Sequence, residues 1–142
     1  LVSLTNLLGL HLHSNQITHI STSSSLTNLK RLVLSNNQIA DVAPLTHLTN
    51  LTMLALVEND ITDVEPLERL TNLTQLFLGN NDIADVAPSA ELSDLEWLFL
   101  ENNLIKDVTP LANLRNLTNL SLGGNLLSES TCPVQPETIC QF

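Results

Sequence analysis

Leucines spaced three and then two residues apart recur along this chain. Each set is followed three residues on by an asparagine, and the set returns every 22 residues. In the frame L-x-x-L-x-L-x-x-N-x-[IL], the copies run Leu7 to Ile17, Leu29 to Ile39, Leu51 to Ile61, Leu73 to Ile83, Leu95 to Ile105 and Leu117 to Leu127, without insertion or deletion. Such a fixed period is the mark of stacked, identical coils. Within the third copy, Leu54 and Leu56 are two residues apart, the period of a strand, and point inward. Met53, Ala55 and Val57 alternate with them and point the other way. One short strand per coil, stacked at about 4.8 Å, predicts a parallel sheet roughly 25–30 Å wide.

The return half of each coil reads I-x-D-V-x-P-L-x-x-L in Ile39 to Leu48, Ile61 to Leu70 and Ile105 to Leu114. Pro44, Pro66, Pro88 and Pro110 can open a short 3₁₀ or α turn, where a missing N–H costs nothing. Too few residues remain before the next strand for a long helix. Two coils depart from the pattern. Ser89 replaces the leucine of Leu45, Leu67 and Leu111, so looser packing is expected there, and Ser21–Ser25 lacks both the proline and the aspartate, so an irregular or mobile segment is expected.

With these motifs the chain resembles the 22-residue, internalin-like subclass of bacterial leucine-rich repeat proteins, a repeat also seen in a phosphatase regulator. The resemblance covers residues 1 to about 128. It implies an α/β solenoid, a right-handed arc with about six short parallel strands on the concave face and 3₁₀ turns or loops on the convex face. It also implies use as a protein-binding module. Residues 1–128 are read as six repeats and residues 129–142 as a C-terminal cap carrying Val134, Ile139 and Phe142. Leu1, Leu4, Thr5 and Asn6 match Leu45, Leu48, Thr49 and Asn50, so the chain is expected to open inside a coil, its natural start upstream or its first coil covered by a partner or second copy.

Each polar column has a structural use. An unpaired buried amide costs roughly 1–3 kcal/mol, so Asn15, Asn37, Asn59, Asn81, Asn103 and Asn125 are expected to bond the backbone of their own and neighbouring coils as a ladder. Asp41, Asp63, Asp85 and Asp107 are expected to accept backbone N–H groups at the turn before the proline. Calcium would need six to eight converging oxygens, which one carboxylate per coil does not obviously supply. His11 and His13 share a face but lack a nearby third ligand. Asn50, Asn72, Asn116 and Asn119 satisfy N-x-[ST] through the repeated T-N-L-T consensus, an incidental match.

Cys132 and Cys140 are the only cysteines. Two thiols are too few for zinc. A disulfide within the cap fits best and would place the chain outside the cytoplasm or at a cell surface. Two buried reduced thiols remain the alternative, with a cytoplasmic location.

Composition narrows the function. A net charge of −10 repels phosphate backbones and anionic membrane surfaces, which disfavours nucleic acid as a partner. The longest apolar run falls well short of a membrane span, so no insertion is expected. Neither G-x-S-x-G nor H-E-x-x-H occurs, and Gly123 and Gly124 form no phosphate loop, so neither an enzyme nor a cofactor or metal is expected.

Aromatics are only 3% of the chain, yet they gather on the strand positions facing away from the leucines. One column reads His11, Val33, Ala55, Phe77, Phe99, Ser121; the flanking columns carry Arg31, Met53, Gln75 and Trp97 on one side, Val57 and Glu101 on the other. Glu58, Asp60, Asp82, Glu96 and Glu101 form an acidic border. Aromatics and Met mark interface centres, although they also favour strands for their own sake. The expected function is recognition of a protein or peptide, basic and with apolar anchors, by a monomer. The competing reading is a structural or regulatory arm of a larger multidomain protein, such as an enzyme whose catalysis is encoded elsewhere. An engineered scaffold fits less well, because Ser21–Ser25 and Ser89 break the repeat.

Overall fold

A computed structural model describes Leu4 and residues 6–142. The expected match at Leu1 and Thr5 lies outside the described residues. Seven parallel strands form one open sheet in chain order: β1 (Gly9–His11), β2 (Arg31–Val33), β3 (Met53–Ala55), β4 (Gln75–Phe77), β5 (Trp97–Phe99), β6 (Asn119–Ser121) and β7 (Cys140–Gln141). The register follows directly from the period. Leu10, Leu32, Leu54, Leu76, Leu98 and Leu120 are consecutive partners, each 22 residues from the next. Leu32, Leu54, Leu76, Leu98 and Leu120 are all fully buried. The core is therefore a column of leucine between the sheet and the return turns.

Those turns are 3₁₀ helices of three to five residues, and each of the four that carry a proline has it in its first turn. Ahead of each, the aspartate side chain caps the turn. Ala43, Glu65, Ala87 and Thr109 donate backbone N–H groups to Asp41, Asp63, Asp85 and Asp107, all at 2.8 Å. The ladder asparagines do the same work on the strand side. Asn81 donates from Nδ2 to Leu56 O and Leu78 O, both at 3.0 Å, and accepts the Ile61 N–H at 3.1 Å. Each interior rung therefore joins two coils. Asn15, in the first coil, is exposed, and among the described residues its side chain bonds only Leu12 and His13 of its own coil.

Further columns of bonds run along the T-N-L-T segments. Asn50, Asn72 and Asn116 donate to the carbonyls of Thr27, Thr49 and Ser93 in the preceding coil. Thr52, Thr74 and Thr118 hydroxyls donate to Lys30, Thr52 and Glu96. Three of the four glycosylation-like matches therefore have their amide nitrogens engaged within the solenoid.

Several expectations need correction. Among the described residues the six repeat strands are joined by a seventh that the repeat does not encode, where Cys140 and Gln141 pair with Leu120 and Ser121. Ser21–Ser25 is not irregular; it is a five-residue 3₁₀ helix. Without proline or aspartate it closes through backbone bonds from Ser23 to Ile20 and Leu26 to Ser23, and through Ser24 and Ser25 hydroxyls donating to Ser21 and Thr22 carbonyls. These hydroxyls donate to carbonyls, whereas the aspartates of the other coils accept an N–H, so this turn forms without a side-chain cap. Ser89 is buried like the leucines whose place it takes. In the tail, Val134 is buried, and Ile139, Cys132 and Cys140 pack against the core, but Phe142 is 48% exposed and does not cover it. A disulfide joins Cys132 and Cys140, with Cα atoms 5.7 Å apart.

Candidate recognition face

The side of the sheet away from the leucines carries three aromatic side chains. Alternation sends Phe77, Trp97 and Phe99 there, and the zero-offset register brings them side by side: Phe77 pairs with Phe99, and Gln75 with Trp97. The Phe77 and Phe99 rings meet edge to face, with centroids 5.2 Å apart. Phe77 meets Trp97 the same way at 6.5 Å, and Trp97 stacks on Phe99 at 6.4 Å with 13° between their planes. Such geometries add about 0.5–1.5 kcal/mol per pair beyond the area covered. The three rings form one rigid platform. Trp97 is its most open member, 39% exposed.

Around it, Val33, Met53, Val57 and Gln75 are half-buried and Arg31 is exposed. Ala55 departs from the expected exposed column; it is 8% exposed. A methyl group between the larger Val33 and Phe77 on adjacent strands is overshadowed by them. Of the residues expected to form an acidic border, Glu58, Asp60, Asp82 and Glu96 are exposed, and Glu101 is half-buried. His11 and His13 are exposed, and His13 Nδ1 lies 3.1 Å from the Ser14 hydroxyl.

Glu101 is the unusual member. Its carboxylate lies over Gly79 on the neighbouring coil, where an added Cβ would collide with Oε1. Its Oε2 is buried and has no hydrogen-bond partner among the described residues. On the other side of Glu101, the next coil carries Gly123, whose missing Cβ would meet the backbone of Phe142. The Glu101 side chain therefore fills the trough that Gly79 leaves beside the rings, with the Phe142 backbone against Gly123 on the next coil.

Two features were not foreseen. Ser14, Asn36, Glu58, Asn80, Asn102 and Gly124, the residues just before the ladder asparagines, all have φ between 54° and 72°. The run of Asn and Gly at this position was the available signal, since these residues tolerate the left-handed region best. Leu104 and Leu126 are 43% and 53% exposed, one coil apart. Their column reads Gln16, Gln38, Asp60, Asp82, Leu104, Leu126, and the change from polar to leucine was legible.

Comparison with known proteins agrees with this architecture. Two copies of a leucine-rich repeat family model match residues 5–47 and 49–91, more than half of the chain. The search of curated proteins found no match. Among solved structures, internalin C2 from Listeria monocytogenes is 37% identical, with TM-score 0.76, over 98% of this chain and 71% of that one. An internalin (inlF) from the same organism is 32% identical, with TM-score 0.80, over 90% of this chain and 45% of its own. A leucine-rich repeat protein of Leptospira interrogans is 33% identical, with TM-score 0.84, over 89% of this chain and 34% of its own. The chain thus spans less than half the length of these last two. The fold is also shared, at 24% identity, by a plant peptide hormone receptor solved in complex with RGF2. A 22-residue coil, a single parallel sheet, 3₁₀ returns and these relatives together place the chain in the leucine-rich repeat family, as an internalin-like member.

Proposed function

We propose that this chain is a non-catalytic recognition module that holds a protein or peptide segment on its sheet face, with Phe77, Trp97 and Phe99 as anchors. The fold is typical of protein–protein interaction modules. The observation that carries the reading is the ring platform itself. The leucine column buries the core without it, yet three of the four aromatic residues stand together on the opposite face. Clustered aromatics at the centre of a patch are where binding energy concentrates. Val33, Met53, Val57 and Gln75 widen the apolar floor, Ala55 supports it from below, and Arg31, Glu58 and Glu101 frame it.

A random dodecapeptide library displayed on phage, panned against the whole chain, tests this. Selected peptides should lose binding at least tenfold on the W97A protein and on the F77A or F99A protein. Peptides held equally by wild type and all three variants would move the site to another surface. A library that yields no ring-dependent peptide would favour the alternative role, a structural or regulatory arm.

A further inference from the structure

We infer that the trough beside the ring platform is a seat for an arginine side chain of the bound partner, with Glu101 as its counter-charge. This rests on the sheet face being the binding surface, and it names the chemistry that face selects. The argument begins with an unfavourable placement. Glu101 Oε2 is buried and unpaired, and a buried charged oxygen without a partner is costly. Nothing in the repeat demands an acid here. The same column carries His13, Ser35, Val57, Gly79 and Gly123 in the other coils. Gly79 carries no side chain, and the carboxylate takes the space this leaves; at Gly123 the backbone of Phe142 stands against the corresponding position.

The surroundings determine what would satisfy it. Glu101 stands two residues beyond Phe99, and Gly79 two beyond Phe77, so the carboxylate lies about 7 Å along the sheet from the edge-to-face ring pair. A guanidinium is planar, stays charged and is weakly hydrated. It stacks on aromatic faces while donating two parallel N–H bonds to a carboxylate. An ammonium offers one point charge and no plane. Rotation of the Glu101 side chain brings the covered oxygen out toward a cation arriving over the rings. The wider charge agrees: the chain is at −10, and Glu96 and Asp82 border the same face. Such a field concentrates basic partners and repels acidic ones.

The test uses the ring-dependent peptides from the dodecapeptide library, with Trp97, the only tryptophan, as a fluorescent reporter at the site. Arginine should be enriched among them. Replacing that arginine by neutral citrulline, or by lysine, should weaken binding tenfold or more. E101Q should weaken the arginine peptide to a similar degree and the citrulline peptide less than twofold. E91Q, on the return side, removes the same charge and should change the arginine peptide less than twofold. Ring-dependent peptides without arginine, equal binding of arginine and lysine, or equal losses for E101Q and E91Q would overturn the arginine seat and leave the recognition face standing. Failure to find any ring-dependent peptide would remove both. Circular dichroism of E101Q at wild-type intensity ties the result to the site.

Discussion

Asn59 and Ile39 join two coils through one bond: the Ile39 N–H donates to Asn59 Oδ1 at 3.0 Å. The same side chain donates from Nδ2 to Leu34 O of the earlier coil at 3.1 Å and to Leu56 O of its own at 3.0 Å. Asn59 is 8% exposed, so water cannot replace these partners freely. Asn59→Ala should lower stability by about 1–3 kcal/mol in urea melts. Asn15→Ala removes an exposed side chain that bonds only within the first coil and should cost well under 1 kcal/mol. Equal losses at the two positions would contradict a ladder that works by joining coils.

Glu58 occupies the left-handed column otherwise held by asparagine, glycine and Ser14, with φ at 56°. Its side chain gains none of the local bonding that lets asparagine rest there. Glu58→Asn should raise stability by about 0.5–1 kcal/mol. A melt that shows no gain would mean that Glu58 makes a compensating contact.

Most of the fold was legible because a repeat leaves little freedom. Six copies of one frame fix the register, and the register fixes which leucines are buried. The asparagine and aspartate columns followed from the need to satisfy buried polar groups. What could not be read lay at points where the repeat stops constraining the chain. The pairing of Cys140 and Gln141 with β6 depends on how the tail folds back, and no period encodes that. Ser21–Ser25 closes through its own backbone bonds, with serine hydroxyls on two carbonyls, so the turn needs neither the proline nor the aspartate of the repeat. At the site, alternation gave the face of Phe77, Trp97 and Phe99, but not the shading of Ala55 or the lean of Glu101 over Gly79. Those depend on the sizes of neighbours on adjacent strands.

Asp107 couples the turn it caps to pH. The backbone N–H of Thr109, and then its side chain, hold the carboxyl below its ordinary range. A lowered folded-state value favours the folded state at neutral pH. That contribution fades as pH falls through the ordinary carboxylate range and is gone below the folded value. Asp107→Asn keeps an acceptor oxygen but removes the charge. Wild type should be the more stable protein at pH 7, and the two should converge in urea melts toward pH 2. A gap that persists in acid would place the effect in packing rather than charge.

Cys132 and Cys140 close a loop eight residues apart in sequence, at the end where β7 pairs with β6. Loop closure of that length limits the unfolded chain by about 2–3 kcal/mol. Reduction should lower stability by that order and release the last coil first. Hydrogen exchange should accelerate at Leu122, whose N–H donates to Gln141 O, before it does so at Leu78. Simultaneous loss of protection at both would show that the tail and the centre unfold as one unit.

Leu76 and Phe77 are adjacent in sequence and belong to opposite faces, which gives the sharpest test of the site. Leu76 is fully buried in the leucine column, whereas Phe77 is half-buried among rings. Leu76→Ala should cost about 2–5 kcal/mol, because a rigid stack collapses poorly around the cavity. Phe77→Ala loses its contacts with Phe99 and Trp97 and should cost about 1 kcal/mol, with Trp97→Ala costing less still. For binding, the order reverses. Phe77→Ala or Trp97→Ala should weaken a peptide held on this face by about 2 kcal/mol, while association with a basic peptide should slow as salt rises. Paired urea melts and binding isotherms on the same preparations check both halves. If Phe77→Ala destabilises as much as Leu76→Ala, the rings belong to the core, and the sheet face loses its claim as the recognition surface.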